Sequence, residues 1–400
     1  MKIAITGAAG YLGSNLKKYF TDKAEDVYSL DKNIINDTNF IQTDLINYEE
    51  VLSALRKVSP DVIIHTAALS SLAQCEKDQK LASKINIQGT KNIIEAIKQV
   101  NPNIKLIFIS SDYVFAGDRG NYREEDERNS KTFYGQTKKV AEDEIKTNLT
   151  NYIICRTAAI YGRGGNFFNF LVDSFNQNKE IEVYDNVFFT PTYIDYLIDS
   201  LAKLLEKDFN GIVHIAGKDV VSRYQFALKI ATALGKGEGL IKQNQQPAGG
   251  LIAQDSSLNS DCVKKILNNF CPSLEKTLNY CFNDFVYSYF SFIDDRGKLI
   301  GLSQNYKWEE INYIESAKEA TRGGHYHKMT KEGFYIIDGK VKIKLHNLAN
   351  NYQRVFSVES GDFFIVEPEM VHTFEVLEDA RWINMLSQAI KGKDKDIYKI

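Results

Sequence analysis

A chain of 400 residues with 44% apolar, 12% aromatic and 25% charged side chains has the composition of a globular protein of two or three domains, which excludes the disordered and fibrous classes. Lysine and arginine number 49 against 52 aspartates and glutamates, a net charge of −3, and no block of like charge is present to neutralise a nucleic-acid backbone or an anionic membrane. The five cysteines are scattered, odd in number and without a CxxC pair, and no apolar run approaches the roughly 18 residues of a membrane span, so a cytoplasmic protein with a small-molecule partner is expected.

Residues 1 to about 150 alternate short β-branched runs with amphipathic stretches, the pattern of βαβ units around a parallel sheet. Strands are expected over Lys2–Thr6, 27–30, Val62–His65 and 105–110, with 82–100 among the helical stretches, giving an α/β doubly wound (Rossmann) fold. Gly7, Gly10 and Gly13 follow the first strand and open a helix running to about Phe20. Side chains there would block the tight turn and the approach of a pyrophosphate to the helix N-terminus. Asp31, 18 residues beyond Gly13, ends the second strand where a ribose hydroxyl is expected. Strand, glycines, helix, strand and acid in this order point to a dinucleotide. An acid repels a 2′-phosphate and favours NADH, but the adjacent Lys32 offsets that repulsion, so NADH and NADPH both stay open.

The fourth expected strand ends in Ser110-Ser111-Asp112-Tyr113-Val114-Phe115, at the carboxyl edge where such sheets hold their ligands. Tyr134 and Lys138 stand four residues apart, hence on one helix face. An ammonium there would stabilise phenolate and draw the tyrosine toward the range useful for acid–base work. From 152 to about 280 the alternation loosens around Gly-rich and polar interruptions, as suits a small substrate lobe.

Together these residues resemble the extended short-chain dehydrogenase/reductase family, and within it the dTDP-4-dehydrorhamnose reductases. The likeness rests on the glycine loop, Asp44-Leu45, His65-Thr-Ala-Ala68, Ser-Ser-Asp-Tyr-Val-Phe at 110–115, Tyr134 with Lys138, Arg156-Thr157, Tyr161-Gly162 and Thr190-Pro191-Thr192. It implies Ser111, Tyr134 and Lys138 as the catalytic trio, although a threonine often stands at the position of Ser111. It assigns Asp44 and Leu45 to the adenine, and Ala67 and Ala68 to the cofactor's phosphate and ribose surroundings. Their bland alternatives are a turn cap for Asp44 and close packing for the alanines. The sugar nucleotide would meet Ser111 and, by the same likeness, Thr190, Pro191 and Thr192.

Beyond about residue 285 the texture turns to short β-rich runs separated by turn residues, at 292–293, 333–337, 341–346, Phe363–Val366, 374–376 and 381–385. Two domains are expected, 1–284 with its substrate lobe at about 152–280, and 285–400. His325 and His327 share a strand face, and Glu332 and His372 can complete a shell of three nitrogens and one oxygen suited to a divalent transition metal such as zinc. This spacing resembles the cupin family. Arg322-Gly-Gly-His-Tyr-His-Lys is similar to a strand of the sugar-nucleotide cupins, and Asp295-Arg-Gly-Lys-Leu-Ile to their opening strand, which implies a jelly-roll. Glu367 and Glu369 depart from the Pro-x-Gly pattern of the second cupin motif.

The order of the two parts resembles the bifunctional capsular polysaccharide enzymes of the CapF type. That likeness implies a cupin that epimerises or isomerises a 4-keto-6-deoxy sugar nucleotide and a reductase that reduces its C4 ketone with NADPH or NADH, acting as a homodimer. His325 matches an epimerase's catalytic histidine. Either it is the base with no metal bound, or it is a ligand and Tyr326 or Tyr335 moves the proton. Two further readings stand beside this one: a reductase whose cupin only binds or dimerises, and a nucleotide-binding regulatory subunit without activity.

Overall fold

The computed structural model of the chain describes residues 1–162, 164–247, 250, 252–268, 271–282, 290–294, 297–302, 307–348, 353–390 and 396–399. Two compact units divide it: 1–174, 180–227 and 241–274 in the first, and 175–179, 228–240 and 275–400 in the second. No described helix is long and apolar enough to cross a membrane, and the five cysteines are free thiols.

In the first unit, seven strands form a sheet: β1 (Lys2–Thr6), β2 (Asp26–Asp31), β3 (Phe40–Gln42), β4 (Val62–His65), β5 (Lys105–Ser111), β6 (Tyr152–Thr157) and β7 (Gly211–His214). Their order is β7-β6-β5-β4-β1-β2-β3 and every pairing is parallel. Burial on both faces explains why β4 and β5 read as continuous apolar runs: every residue of each is buried. Helices α1 (Tyr11–Asp22), α2 (Tyr48–Val58), α3 (Gly89–Val100) and α4 (Phe133–Asn148) accompany the strands. Val51, Leu55, Ile93 and Ile97 of α2 and α3 share one core with Ile63, Leu106 and Phe108. The strand order reverses between β1 and β4, and a crevice opens there at the carboxyl ends of the strands.

The expected helix over 82–100 is interrupted. Gln79–Ser83 is α-helical, Lys84–Gln88 forms a π-turn, and α3 starts at Gly89. Within the π-turn the buried Asn86 side chain accepts from Leu69 N (2.7 Å) and donates to Leu69 O (3.1 Å) and Thr137 Oγ1 (2.9 Å), tying this segment to α4.

The second unit contains a hairpin, Phe290–Asp294 with Gly297–Gly301, and two antiparallel sheets. Asp295 and Arg296 of the expected opening strand lie outside the described residues. The remaining strands are β8 (Glu310–Ser316), β9 (Thr321–Tyr326), β10 (Glu332–Asp338), β11 (Lys340–Asn347), β12 (Gln353–Glu359), β13 (Phe363–Val366), β14 (Met370–Val376), β15 (Ala380–Leu386) and β16 (Tyr398–Lys399). One sheet runs β8-β15-β10-β13 and the other β12-β11-β14-β9-β16. Phe334, Ile336, Val341, Ile343, Phe364, Phe374 and Trp382 build the core of this unit, and Tyr280 from the helix Leu274–Phe282 packs against it. Lys276 of that helix pairs with the buried Asp362 at 2.8 Å.

Candidate functional sites

A cavity of about 970 Å³ in the first unit is lined by Gly7, Gly10, Gly13, Asp31, Asp44, Leu45, Ala67, Ala68, Ser111, Tyr134 and Lys138. Gly7 has φ +69°, and a Cβ on it would stand 2.7 Å from Ala67 N; a Cβ on Gly13 would stand 2.2 Å from Gly7 O. Glycine is therefore required at both positions to bring the start of α1 over the ends of β1 and β4, where its first N–H groups are left for a ligand. Asp31 accepts from Ala9 N (3.1 Å) and Asn33 N (2.9 Å), so it braces the loop as well as lining the cavity. Asp44 likewise does both, capping the turn at Ile46 N (3.0 Å).

At the end of β5, Ser111 donates to Asp112 Oδ1 (2.8 Å) and accepts from Tyr113 N (3.2 Å), while Ser256 donates to Asp112 Oδ2 (2.6 Å). Burial raises the Asp112 carboxyl to about 6 against these hydrogen bonds. The Tyr134 phenol hydrogen-bonds Ser111 and is pushed above its ordinary range by burial and by the Asp112 charge. The downward pull expected from Lys138 is outweighed here by burial and a neighbouring carboxylate, which act in the opposite sense. The Tyr134 phenol is therefore held in its protonated form. Burial draws the Lys138 ammonium down to about 7, against the pull of Glu142 and Cys75, and its Nζ lies 4.3 Å from the centre of the Phe108 ring.

That depression gives a prediction with a definite sign. An anionic dinucleotide restores the Lys138 proton, so binding above pH 7 takes up a proton and the dissociation constant rises with pH, by up to about tenfold per unit. Calorimetry in buffers of different ionisation enthalpy is expected to show this uptake at pH 8, and Lys138→Met to abolish it. For folding the same group acts in the opposite sense: the unfolded chain binds its proton up to the ordinary lysine range near 10.5, so this contribution to stability rises with pH between 7 and 10.5.

Three expected substrate residues are placed elsewhere. Thr190, Pro191 and Thr192 do not line the cavity. Both threonines are buried, Thr190 Oγ1 accepts from Leu258 N (3.3 Å), and the Pro191 carbonyl passes so close to Gly217 that a Cβ there would be 2.0 Å away. Their polar groups serve internal packing, and Val187, Phe188 and Phe189 line the wall instead.

In the second unit, His325, His327, Glu332 and His372 bring their ligand atoms within 4.8 Å of one another. Strand β9 supplies His325, β10 supplies Glu332 and β14 supplies His372, with His325 paired to His372 in register. Glu332 Oε2 lies 3.3 Å from His327 Nε2 and 3.1 Å from His372 Nε2. Even so, His327 Nε2 and Glu332 Oε2 are buried without a hydrogen bond of acceptable geometry. Orphaned atoms facing one another in this way fit a bound divalent cation, and the donor set of three imidazoles and a carboxylate fits a transition metal. Burial lowers His372 to about 4, which keeps its ring a neutral donor.

The outer shell is built too. Met370 O lies 3.2 Å from His372 Nδ1, Asn384 donates to Glu332 Oε1 (3.1 Å), and Asp396 O accepts from His327 Nδ1, which aims Nε2 at the cluster. The Asp396 carboxylate meanwhile accepts from Lys328 N, Met329 N and Thr330 N. Tyr326 and Tyr335 face elsewhere, Tyr326 against Tyr398 and Tyr335 in a separate apolar cluster with Trp308 and Met385. Asp112, Ser256, Arg223 and Asp396 are the site residues that sequence reasoning did not assign.

Residues 1–286 match the family model of the RmlD substrate binding domain, and residues 292–386 that of the polysaccharide biosynthesis C-terminal domain. The chain is 30% identical over 236 residues to the spore coat polysaccharide biosynthesis protein SpsK of Bacillus subtilis, covering 58% of this chain and 80% of that protein. It is 32% identical over 238 residues to a dTDP-4-dehydrorhamnose reductase of Aggregatibacter actinomycetemcomitans, covering 57% and 78%. Among solved structures, it is similar to the dTDP-4-dehydrorhamnose reductase of Bacillus anthracis in complex with NADP, with a TM-score of 0.63, 29% identity, and coverage of 70% of this chain and 98% of that one.

Proposed function

We propose, from the premise that the chain belongs to the family of the RmlD substrate binding domain, that its first unit reduces the C4 ketone of a 4-keto-6-deoxy sugar nucleotide with NADPH or NADH. We propose further that the second unit is a cupin-type domain, metal-loaded, that epimerises or isomerises the same class of substrate. The observation that carries the reading is the convergence of Ser111, Tyr134 and Lys138 on the cavity that the Gly7 to Gly13 loop also lines.

A nicotinamide held in this cavity would supply the hydride for the ketone carbon. Tyr134 gives its phenolic proton to the ketone oxygen, so carbonyl, hydride and proton become an alcohol. Ser111, turning its hydroxyl proton away from Asp112 Oδ1, donates to the same oxygen and holds it against the phenol. Lys138 would hold the nicotinamide ribose, and its charge would stabilise the phenolate until a solvent proton replaces the one given up.

In the second unit His325, His327, Glu332 and His372 would hold the cation, which supplies Lewis-acid polarisation of the carbonyl when bound. A C4 ketone acidifies the protons on C3 and C5, because the carbanion is delocalised as an enolate. His325 is the one member of the four that is not buried, and it is the imidazole a substrate reaches first. One carbonyl thus serves both chemistries.

The test uses the whole chain. With a dTDP- or UDP-linked 4-keto-6-deoxy sugar, NADPH oxidation is expected, and its absence with both NADPH and NADH would defeat the reductase reading. In deuterated water without NAD(P)H, deuterium is expected at C3 or C5, and chelator or His327→Ala is expected to abolish it. A substrate that stays unlabelled leaves a reductase joined to a binding or dimerising domain.

A further inference from the structure

The cavity of the first unit has a second charged end. Past Tyr134 its wall is made by Tyr113, Phe167, Phe188, Arg223 and Ala253. Arg223 opens the helix Arg223–Ala233, and its N–H donates to Val187 O (3.0 Å), which fixes where the side chain starts. The guanidinium lies over the Phe167 ring, 4.8 Å from its centre, and hydrogen-bonds the Tyr113 phenol. Among the described residues no carboxylate pairs with it, whereas Arg128 and Arg156 are both paired with Glu142. A guanidinium that rests on an aromatic ring and has no carboxylate partner still has N–H donors to offer an anion with two oxygens.

The position of this cation fits one anion in particular. The Tyr113 ring centre is 6.3 Å from that of Tyr134, and the Arg223 guanidinium acts on the phenol of that same Tyr113. In a hexopyranose, C4 and C1 stand at opposite ends of the ring. A substrate whose C4 carbonyl meets Tyr134 therefore carries its C1 phosphate one ring away, on the side of the cavity wall that Tyr113 and Arg223 share. The dinucleotide's own phosphates belong to the start of α1 at the other end of the cavity. On the reading given under Proposed function, we propose that Arg223, seated over the Phe167 ring, binds the diphosphate of the sugar nucleotide and so sets which end of the substrate faces the reacting groups.

UDP and dTDP are the probes, titrated calorimetrically into the full-length protein saturated with NADP⁺. The wild type is expected to bind one of them. Arg223→Gln is expected to bind it on the order of 10- to 100-fold more weakly, with the NADP⁺ dissociation constant unchanged, and to raise KM for the keto-sugar nucleotide far more than it lowers kcat. Arg223→Lys, which keeps the charge and loses the fork, is expected to fall between them. Unaltered nucleoside diphosphate binding in both variants overturns the assignment, as does a loss confined to NADP⁺, which would give Arg223 to the dinucleotide. Wild-type protein that binds neither UDP nor dTDP defeats the substrate class itself, and is distinguishable because no substitution is involved.

Discussion

Tyr134→Phe is expected to lower kcat for NADPH oxidation with the keto-sugar nucleotide by about 10²–10⁴-fold, the range contributed by a positioned general acid. The structure makes the loss specific. Burial and the Asp112 charge keep the phenol protonated, so in the wild type a donor waits at the carbonyl, and phenylalanine fills the same space without a proton. Lys138 is untouched, four residues further along α4, so NADPH affinity is expected to be preserved. Stopped-flow reduction at saturating NADPH checks both halves. A variant that keeps wild-type kcat would show that the proton comes from elsewhere, with Ser111 the next group in reach.

The parts of this arrangement written in the sequence are those in which neighbours along the chain become neighbours in space. Gly7, Gly10 and Gly13 act within one strand-to-helix turn, Tyr134 and Lys138 within one helical turn, and His325 with His327 across one pleat. Each spacing states its own geometry. The residues that local spacing does not reveal are those whose partners arrive by topology. Asp112 becomes a buried carboxyl because Ser256 reaches it from 144 positions away. His327 is aimed by Asp396, 69 positions distant. Strands β8 and β12 were unforeseen for a different reason: in Glu-Ile-Asn-Tyr-Ile-Glu-Ser the apolar Ile311 and Tyr313 are exposed, and in Gln-Arg-Val-Phe-Ser-Val-Glu Arg354 is buried and Val355 exposed, so neither has the unbroken apolar run that marks a doubly buried strand. The π-turn at Lys84–Gln88 hides within a regular apolar period, since one asparagine side chain and its distant partners decide it.

Glu142→Ala is expected to cost about 3–5 kcal/mol of folding stability, the loss typical of breaking one side of a buried ion pair. Glu142 is fully buried on α4, and its carboxylate accepts from Arg156 Nε (2.9 Å) and Nη2 (2.8 Å), from Arg128 Nη1 (3.0 Å) and from Ser110 Oγ (2.6 Å). Arg156 is 1% exposed, and its Nη1 also donates to Glu124 O (2.9 Å). Removing the carboxylate leaves that guanidinium in the core without a counter-charge, which is worse than having neither group. Glu142→Leu combined with Arg156→Met is therefore expected to recover much of the loss, and chemical denaturation of the two singles and the double measures the coupling directly. Single variants that lose less than about 1 kcal/mol would mean that water reaches the site and the pair behaves as a surface one. The network also ties α4 to β5 and β6, one helical turn from Lys138, and Glu142 is the charge that holds the lysine's affinity for its proton up. Loosening it is expected to weaken NADPH binding at pH 8 more than at pH 6, because only at the higher pH must Lys138 regain a proton that Glu142 no longer helps to hold.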